Sequence, residues 1–445
     1  MRIHDADKEF VWHPYTQMRD WISSDNKVIV RGKGFYLIDS EGNKYLDGNA
    51  SMWCNVWGHS TNKVIETMVR QLRTIPHSTL FGLSNAPSVK FAERFIKIAK
   101  GMHKVFFSDN GSTAIEVAMK MALHYWHNKS NYKKTKFISL ENGYHGDTVG
   151  AMSLGYLSQY FHAYKPLLTR VYKIPSPSFS KKKHISEIDM LEYCLEETEK
   201  TLKKYSSNCA ALVMESGAQV AGGAIIYPEN YQKRISDLCK KYNILLIVDE
   251  IATGWGRLGN MVEYIAQNSI PDIACFGKSL TAGYFPLAIT ATTRKIFDEF
   301  LGDYWENKQL YHGHTFTGNP VGCIAALANL QLYKETNLLL RIKRNTVYLA
   351  KRLQEFKKSS IVTDVRHRGL LAGIEISWKG KPIKTLKNKR IINYYIAQES
   401  LKQGVFTRTL GNIMMIVPPL AINKEDFEKL LNVQLSLLNR IERDM

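Results

Sequence analysis

The chain has 445 residues, 44% hydrophobic and 23% charged, which is more than one ordinary domain and suits a large folded core with a smaller unit beside it. No apolar run reaches the roughly 18–20 residues of a membrane span, and the opening MRIHDADKEFVWHPYTQ mixes charges where a secretory leader would be apolar, so a cytoplasmic protein without membrane contact is expected. The formal charge is +19, but the densest basic runs (Lys133–Lys136, Ser180–His184 and Lys379–Arg390) fall between predicted elements, without a basic helix interleaved with aromatics, so a solvated lysine-rich surface is expected and not a nucleic-acid site.

The N-terminal arm carries VWHPYTQM, aromatics beside a proline that suit a segment packed over a pocket. Val28–Ile38 and Lys44–Leu46 read as two short strands around the turn Ser40–Asn43. The loop Asp47–His59 is rich in small residues and aromatics, a composition that fits either the lining of a concave site or a buried turn. Asn62–Arg73 and Ser88–Ala99 have helical spacing. The strand Lys104–Phe107 runs into Ser108–Thr113 and then the helix AIEVAMKMALHYW. Strand, Gly/Ser turn and helix start bring backbone N–H groups, hydroxyls and the helix dipole together, which suits either a phosphate or a plain N-cap.

Lys136–Leu140 is the next strand; it leads to Glu141–Thr148, where the aromatic Tyr144 can stack on a flat ring. Residues 165–185 read as an irregular surface connection, Glu187–Lys204 as a helix, Ala210–Met214 as a strand ending at Glu215, and Tyr231–Tyr242 as a helix. The apolar run Ile244–Val248 then ends in Asp249 and Glu250, and the run Ile273–Phe276 ends in Gly277 and Lys278. Ligands of open α/β sheets bind beyond the carboxyl ends of the strands, so Asp249 and Lys278 are expected at one rim. An acid there can pair with a ring nitrogen and an amine can condense with an aldehyde, as a pyridoxal phosphate (PLP) site requires; singly, each residue would as readily be a turn residue or a solvated lysine.

Leu287–Thr292 is a further strand, and His312–Pro320 is a turn entering the helix Val321–Lys334. The remainder alternates differently: a helix through Phe356, strands near Ile361–His367 and Ala372–Ile376, a helix at Ile391–Gln403, a short strand pair near Val405–Val417 and a last helix from Lys424. The fold class is therefore α/β, a large domain with a mainly parallel, doubly wound sheet plus a smaller α+β domain built from both termini. The expected division is 1–55 for the arm and part of the small domain, 56–325 for the large domain and 326–445 for the rest of the small domain. The six cysteines (Cys54, Cys194, Cys209, Cys239, Cys275, Cys323) show no C-x-x-C pair and no zinc-type spacing, so they are read as reduced core or near-core thiols and no metal is expected.

WHPYTQM (12–18), LDGNASMW (46–53), NGYHGDTVGAMS (142–153), VDEIATGWGRLG (248–259), FGKSLTAGY (276–284), HGHTFTGNP (312–320) and Arg408 with VPP (417–419) form one ordered set. Nearly end to end, that set resembles the class III aminotransferases of PLP fold type I. Within them it resembles the adenosylmethionine–8-amino-7-oxononanoate aminotransferases of biotin biosynthesis, which make 7,8-diaminononanoate. The resemblance implies a homodimer with shared active sites and a catalytic set of Lys278, Asp249 and Tyr15. Lys278 would carry PLP and shuttle a proton, Asp249 would keep the pyridine nitrogen protonated, and Gly111 and Ser112 would bind the phosphate. Tyr144 would stack on the ring, and Gly313, His314 and Thr315 would reach the site from the partner subunit. Tyr15, Met52 and Trp53 would line the substrate pocket, and Arg408 would grip a substrate carboxylate. Arg257 is a second candidate cation, or else half of a structural salt bridge.

Four positions depart from the pattern: Met52 replaces a tryptophan, Ser216 a proline, Val220 a glycine and His314 a proline. The Met52 exchange leaves lysine open beside S-adenosylmethionine as amino donor. Another class III ω-aminotransferase, acting on ornithine, 4-aminobutyrate or a diamine, is the alternative; the HPYT arm and the S-x-W loop argue against it.

Overall fold

The computed structural model describes residues 1–155, 157–178, 186–387 and 390–445; the basic run Ser180–His184 and Asn388 and Lys389 of the third run lie outside the described residues. Seven strands form one sheet, in the order Lys104–Ser108, Ala288–Thr292, Ile273–Phe276, Leu245–Asp249, Cys209–Glu215, Lys136–Leu140 and Val171–Ile174. Ala288–Thr292 runs antiparallel to both of its neighbours, and the other pairings are parallel. The four strands from Ala288–Thr292 to Cys209–Glu215 are buried at every residue, which is why they read as unbroken apolar runs and not as alternating ones.

Alternate residues of these strands feed two separate cores. Leu245, Ile247, Val213, Ile273 and Cys275 pack beneath the helix Gly111–Asn128, against its Ala114, Val117, Ala118 and Met121. Leu246, Val248, Leu212, Met214, Ala274 and Phe276 pack on the opposite face with Phe91, Phe95 and Ile235. Each fully buried large aliphatic or aromatic side chain is worth about 1.5–3 kcal/mol of transfer free energy, so this double layer fixes the sheet and thereby its carboxyl rim.

The segments from the two ends of the chain meet in a second unit. Ile29–Lys33, Tyr36–Asp39 and Lys44–Asp47 form an antiparallel meander, to which Val405–Phe406 adds in parallel at Lys44–Asp47. Val362–Arg368, Leu371–Trp378, Ile413–Ile416 and Thr409–Leu410 form a further sheet, and the helices Leu338–Phe356, Ile392–Lys402 and Lys424–Asp444 contribute to the same apolar cluster.

Three local expectations change. Val28–Ile38 is not one strand, because Gly34 at φ +56° turns the chain and pairs Lys33 with Tyr36. The 165–185 connection contains a sheet strand, Val171–Ile174, preceded by a 3₁₀ turn at His162–Leu167. That strand is four residues long and lies at the sheet edge, so VYKI shows no long apolar run. Lys134, assigned to the solvated basic surface, is only 5% exposed. Its ammonium donates to the carbonyls of Ser206 (3.0 Å), Cys209 (3.3 Å) and Asn243 (2.6 Å) and lies 4.3 Å from the Trp126 ring centroid. Burial pushes this amine down to about 8.

Lys134 thus ties the starts of two neighbouring strands to the turn after the helix Ser186 caps. Replacing it with Met keeps the stem but strands three carbonyls, and a loss of about 2–4 kcal/mol is expected in thermal or denaturant unfolding, with the fold retained. An unchanged midpoint would show that these carbonyls find other partners.

Candidate active site

The carboxyl ends of the sheet strands open into a cavity of about 480 Å³. Asp249 is the last residue of the central strand and is 4% exposed. Its Oδ1 accepts from the Ile251 N–H at 2.9 Å, and its Oδ2 lies 2.8 Å from His145 Nδ1. An ionised Asp249 can only accept, so His145 holds its proton on Nδ1. Lys278 stands two residues beyond the next strand, on a backbone at φ +45°, where a non-glycine residue is strained. Its Nζ lies 5.4 Å from the centroid of Trp53. Burial pushes this amine below its ordinary value, against the pull of Asp249 and Glu215.

The opposite end of the cavity is built from two turns. Asn110 caps the helix Gly111–Asn128 in a reciprocal capping box with Thr113, the plain cap that this motif also suited. The cap leaves Gly111 and Ser112 lining the cavity. A Cβ on Gly111 would fall 2.8 Å from Ile251 Cγ2. At Gly146, φ is +126° and a Cβ would fall 1.8 Å from Ser112 Oγ, whose hydroxyl accepts from the Asp147 N–H at 3.0 Å. Glu116 receives Thr148 Oγ1 and the N–H groups of Gly150 and Ala151, and so pins the second turn to the first helix.

Aromatics close the sides. Trp53 ends a left-handed turn in which Ala50, Ser51, Met52 and Trp53 all have φ between +45° and +71°. Such a run costs roughly 1–2 kcal/mol per residue. Asp47, wholly buried, holds it by accepting from Ser51 N–H (3.0 Å) and Ser51 Oγ (2.7 Å), with His59 Nε2 at 3.2 Å. Tyr144 stacks on Phe161 with ring centroids 6.5 Å apart. The hydroxyls of Tyr144 (3.1 Å) and Tyr15 (2.7 Å) both donate to Asp147 Oδ1. Burial and the Asp147 carboxylate raise both phenols well above their usual range.

Of the residues expected from sequence, Lys278, Asp249, Gly111, Ser112, Tyr144 and Trp53 line this one cavity, and Tyr15 joins through Asp147. Met52 and Arg408 meet each other, with Arg408 Nη1 3.2 Å from Met52 Sδ. Gly313, His314 and Thr315 do not line the cavity of their own chain. His314 Nδ1 lies 3.3 Å from Asp109, which does. Arg257 is 1% exposed, and among the described residues it forms no salt bridge. It donates instead to the carbonyls of Leu370 (3.0 Å) and Pro418 (2.7 Å), and burial pushes it down to about 10.

Four residues went without a role in the sequence: His145, Asp147, Glu215 and Cys54. His145 and Asp147 lie inside the motif that carries Tyr144. Glu215 ends an apolar strand, the same signal that singled out Asp249. Cys54 gave no signal; burial pushes its thiol up to about 11, so it is an inert wall of the cavity.

These residues fit PLP. Glycines that tolerate no side chain stand at a helix start where a phosphate would sit, and a fixed carboxylate, an amine of lowered basicity and aromatic walls share the same cavity. The aminotransferase class-III family model matches residues 22–437. The adenosylmethionine-8-amino-7-oxononanoate aminotransferase of Methanocaldococcus jannaschii is 40% identical, over 94% of this chain and 94% of the relative. The protein of the same name from Aquifex aeolicus is 39% identical, over 99% and 97%. The crystal structure of the M. jannaschii protein superposes with a TM-score of 0.91 at 39% identity, covering 98% of each chain. An ω-transaminase from Pseudomonas jessenii in complex with PMP superposes with a TM-score of 0.94 at 29% identity, covering 100% and 99%. The chain belongs to the class III aminotransferases, and pyridoxal 5′-phosphate is its cofactor.

Proposed function

We propose that this transaminase aminates the ketone of 8-amino-7-oxononanoate to give 7,8-diaminononanoate, a step of biotin biosynthesis. The observation that carries the reading is the pairing of the Lys278–Asp249–His145 centre with Arg408 beside Met52, a cation that no carboxylate engages among the described residues. The names of the relatives support the same acceptor and S-adenosylmethionine as donor. Lysine is the second reading for the donor, because Met52 is a flexible thioether where a flat indole would narrow the pocket.

When bound, PLP supplies an aldehyde for amine exchange and a ring that withdraws electrons from the substrate carbon. The protein does the rest. Asp249, locked by Ile251 and His145, would present a carboxylate to the ring nitrogen and hold the proton there. Lys278 would hold the cofactor through its amine and would move a proton at the substrate's α-carbon; its lowered basicity leaves more free amine for both tasks. Gly111 and Ser112 would hold the phosphate by their N–H groups, and Tyr144 would wall the ring. Tyr15, Met52 and Trp53 shape the channel for the apolar chain of the acceptor. Arg408 binds its carboxylate as a two-pronged donor. Amine enters with the donor and leaves with the acceptor, so the kinetics are ping-pong.

The enzyme acts as a homodimer with shared sites. Support comes from the Gly313–Thr315 segment, which points no residue into its own cavity, and from Phe81, which lies against Gly313, and Phe316, which are 64% and 55% exposed. We place it in the cytoplasm, on the reading of a biosynthetic enzyme with six unpaired cysteines.

Loaded with PLP and given donor and 8-amino-7-oxononanoate, the protein is expected to form the diamine. Arg408→Ala should raise KM for the acceptor by on the order of 10–100-fold while PLP stays bound, since one charge-assisted fork is lost; unchanged KM would remove Arg408 from its role. Gly146→Ala should weaken PLP binding by at least about tenfold in a reconstitution titration, because the added methyl meets Ser112 in a backbone region disfavoured for alanine. Wild-type affinity would show that the phosphate does not rest on this turn.

A further inference from the structure

The N-terminal arm keeps its shape with little apolar support. Its helices Ile3–Phe10 and Met18–Ser23 bury no residue, and Trp12, in the link between them, is 88% exposed. One carboxylate ties the pieces together. Asp7 Oδ2 accepts from Trp21 Nε1 at 2.8 Å and from Asn26 Nδ2 at 2.6 Å, and Asp7 Oδ1 lies 2.9 Å from His13 Nε2. The donors come from the link, the second helix and the segment before the first strand. Asn26 is buried and so fastens the clamp to the body of the protein. The rings of His13 and Trp21 pack with centroids 4.2 Å apart. Near its start, the first helix is held by His4 Nε2, 2.7 Å from Ser40 Oγ.

Between His13 and Trp21 stands Tyr15, on a backbone at φ +52°. A non-glycine residue there is strained and persists only where its surroundings over-determine it. On the cavity side, its hydroxyl donates to Asp147 Oδ1 at 2.7 Å, and its ring meets Tyr160 edge-on with centroids 5.5 Å apart. The same Asp147 oxygen takes the hydroxyl of Tyr144, a wall of the cavity. Within the loop, Pro14 has a restricted φ, Thr16 Oγ1 donates to the Pro14 carbonyl at 2.9 Å, and the His13 N–H donates to Met18 Sδ at 3.5 Å. Both ends of the loop therefore close on Asp7, and its tip rests on Asp147.

We propose that Asp7 is a positioning residue of the transamination site, which clamps the ends of the 13–21 loop so that Tyr15 seats on Asp147 beside Tyr144. Asp7 does not line the cavity and acts only through the loop. Without the clamp the loop gains conformations, Tyr15 relaxes from its strained backbone, and the channel wall it supplies is in place for only a fraction of the time. The inference rests on the reading that Tyr15 shapes the acceptor channel, and the test separates the two.

The test is a double-mutant cycle on the PLP-loaded protein, read as kcat/KM for 8-amino-7-oxononanoate, beside hydrogen exchange of the amides of residues 11–21. Asp7→Ala should speed that exchange and lower kcat/KM by on the order of tenfold, with PLP retained. Asp7→Asn should recover most of the loss, because its carboxamide oxygen accepts from Trp21 and Asn26 while its NH2 group donates to the other tautomer of His13. In a Tyr15→Ala background, Asp7→Ala should add less than about a twofold further loss, since no side chain is left to position. A wild-type kcat/KM in Asp7→Ala, a full further loss in the Tyr15→Ala background, or an Asn variant as damaged as the Ala variant would overturn the proposal. Faster arm exchange in Asp7→Ala, in a protein that aminates another carbonyl compound but not this one, would support the clamp and reject the acceptor.

Discussion

The site depends on one carboxylate held still. Asp249 sits where the central strand stops, with one oxygen bound by an amide two residues on and the other by His145. The strand cannot shift, because its four apolar side chains are buried alternately in the two cores on either side of the sheet. Any slip of register would take Asp249 out of line with Glu215 and Cys275, its partners on the two neighbouring strands. The His145 contact then carries that rigidity into the turn that bears Tyr144 and Gly146. A rigid sheet rim, two turns and one lysine account for most of the cavity.

The remaining wall comes from the second unit, and polar groups weld it on. Arg257 reaches from just beyond Asp249 to the carbonyls of Leu370 and Pro418. Arg366 returns to the carbonyls of Gly223 (2.6 Å) and Ala224 (3.1 Å), and Arg368 meets buried Glu263 at 2.5 Å. These bonds join the sheet that holds Val362–Arg368 and Thr409–Leu410, the latter beside Arg408, to the segments that follow Glu215 and Asp249. The left-handed turn at 50–53 adds Trp53, and its backbone strain is met by Asp47, whose carboxylate takes both polar hydrogens of Ser51. Strain concentrated at Trp53 and at Lys278 marks where the fold gives up local comfort for position.

Much of this was legible in the residues. Buried parallel strands announce themselves as apolar runs, so Ile273–Phe276 and Lys136–Leu140 carry the same bounds in sequence and structure. Asp249, Lys278 and Tyr144 followed from their places just beyond such runs. What the sequence concealed has physical reasons. The Val171–Ile174 edge strand is too short for a pattern. Lys134 looks like any surface lysine until three carbonyls from two separate segments converge on it. The partner of Arg257 could not be named because carbonyls carry no sequence signal, and the left-handed turn is built from residues that ordinarily avoid it. Glu215 was visible as a strand-end acid, but its pairing with Asp249 is a matter of register, which only the folded sheet supplies.

The central claim is that the Lys278–Asp249 centre exchanges an amine between a donor and PLP before any acceptor is present. A single-turnover absorbance experiment tests it most directly. The PLP-loaded protein is mixed with S-adenosylmethionine or with lysine alone, and the cofactor band is followed. Conversion of the aldehyde form to the amine form by one of them, reversed on adding 8-amino-7-oxononanoate, is the predicted result. A cofactor band unmoved by either donor would contradict the proposed substrates, and one unmoved by every amine tried would contradict the catalytic centre itself.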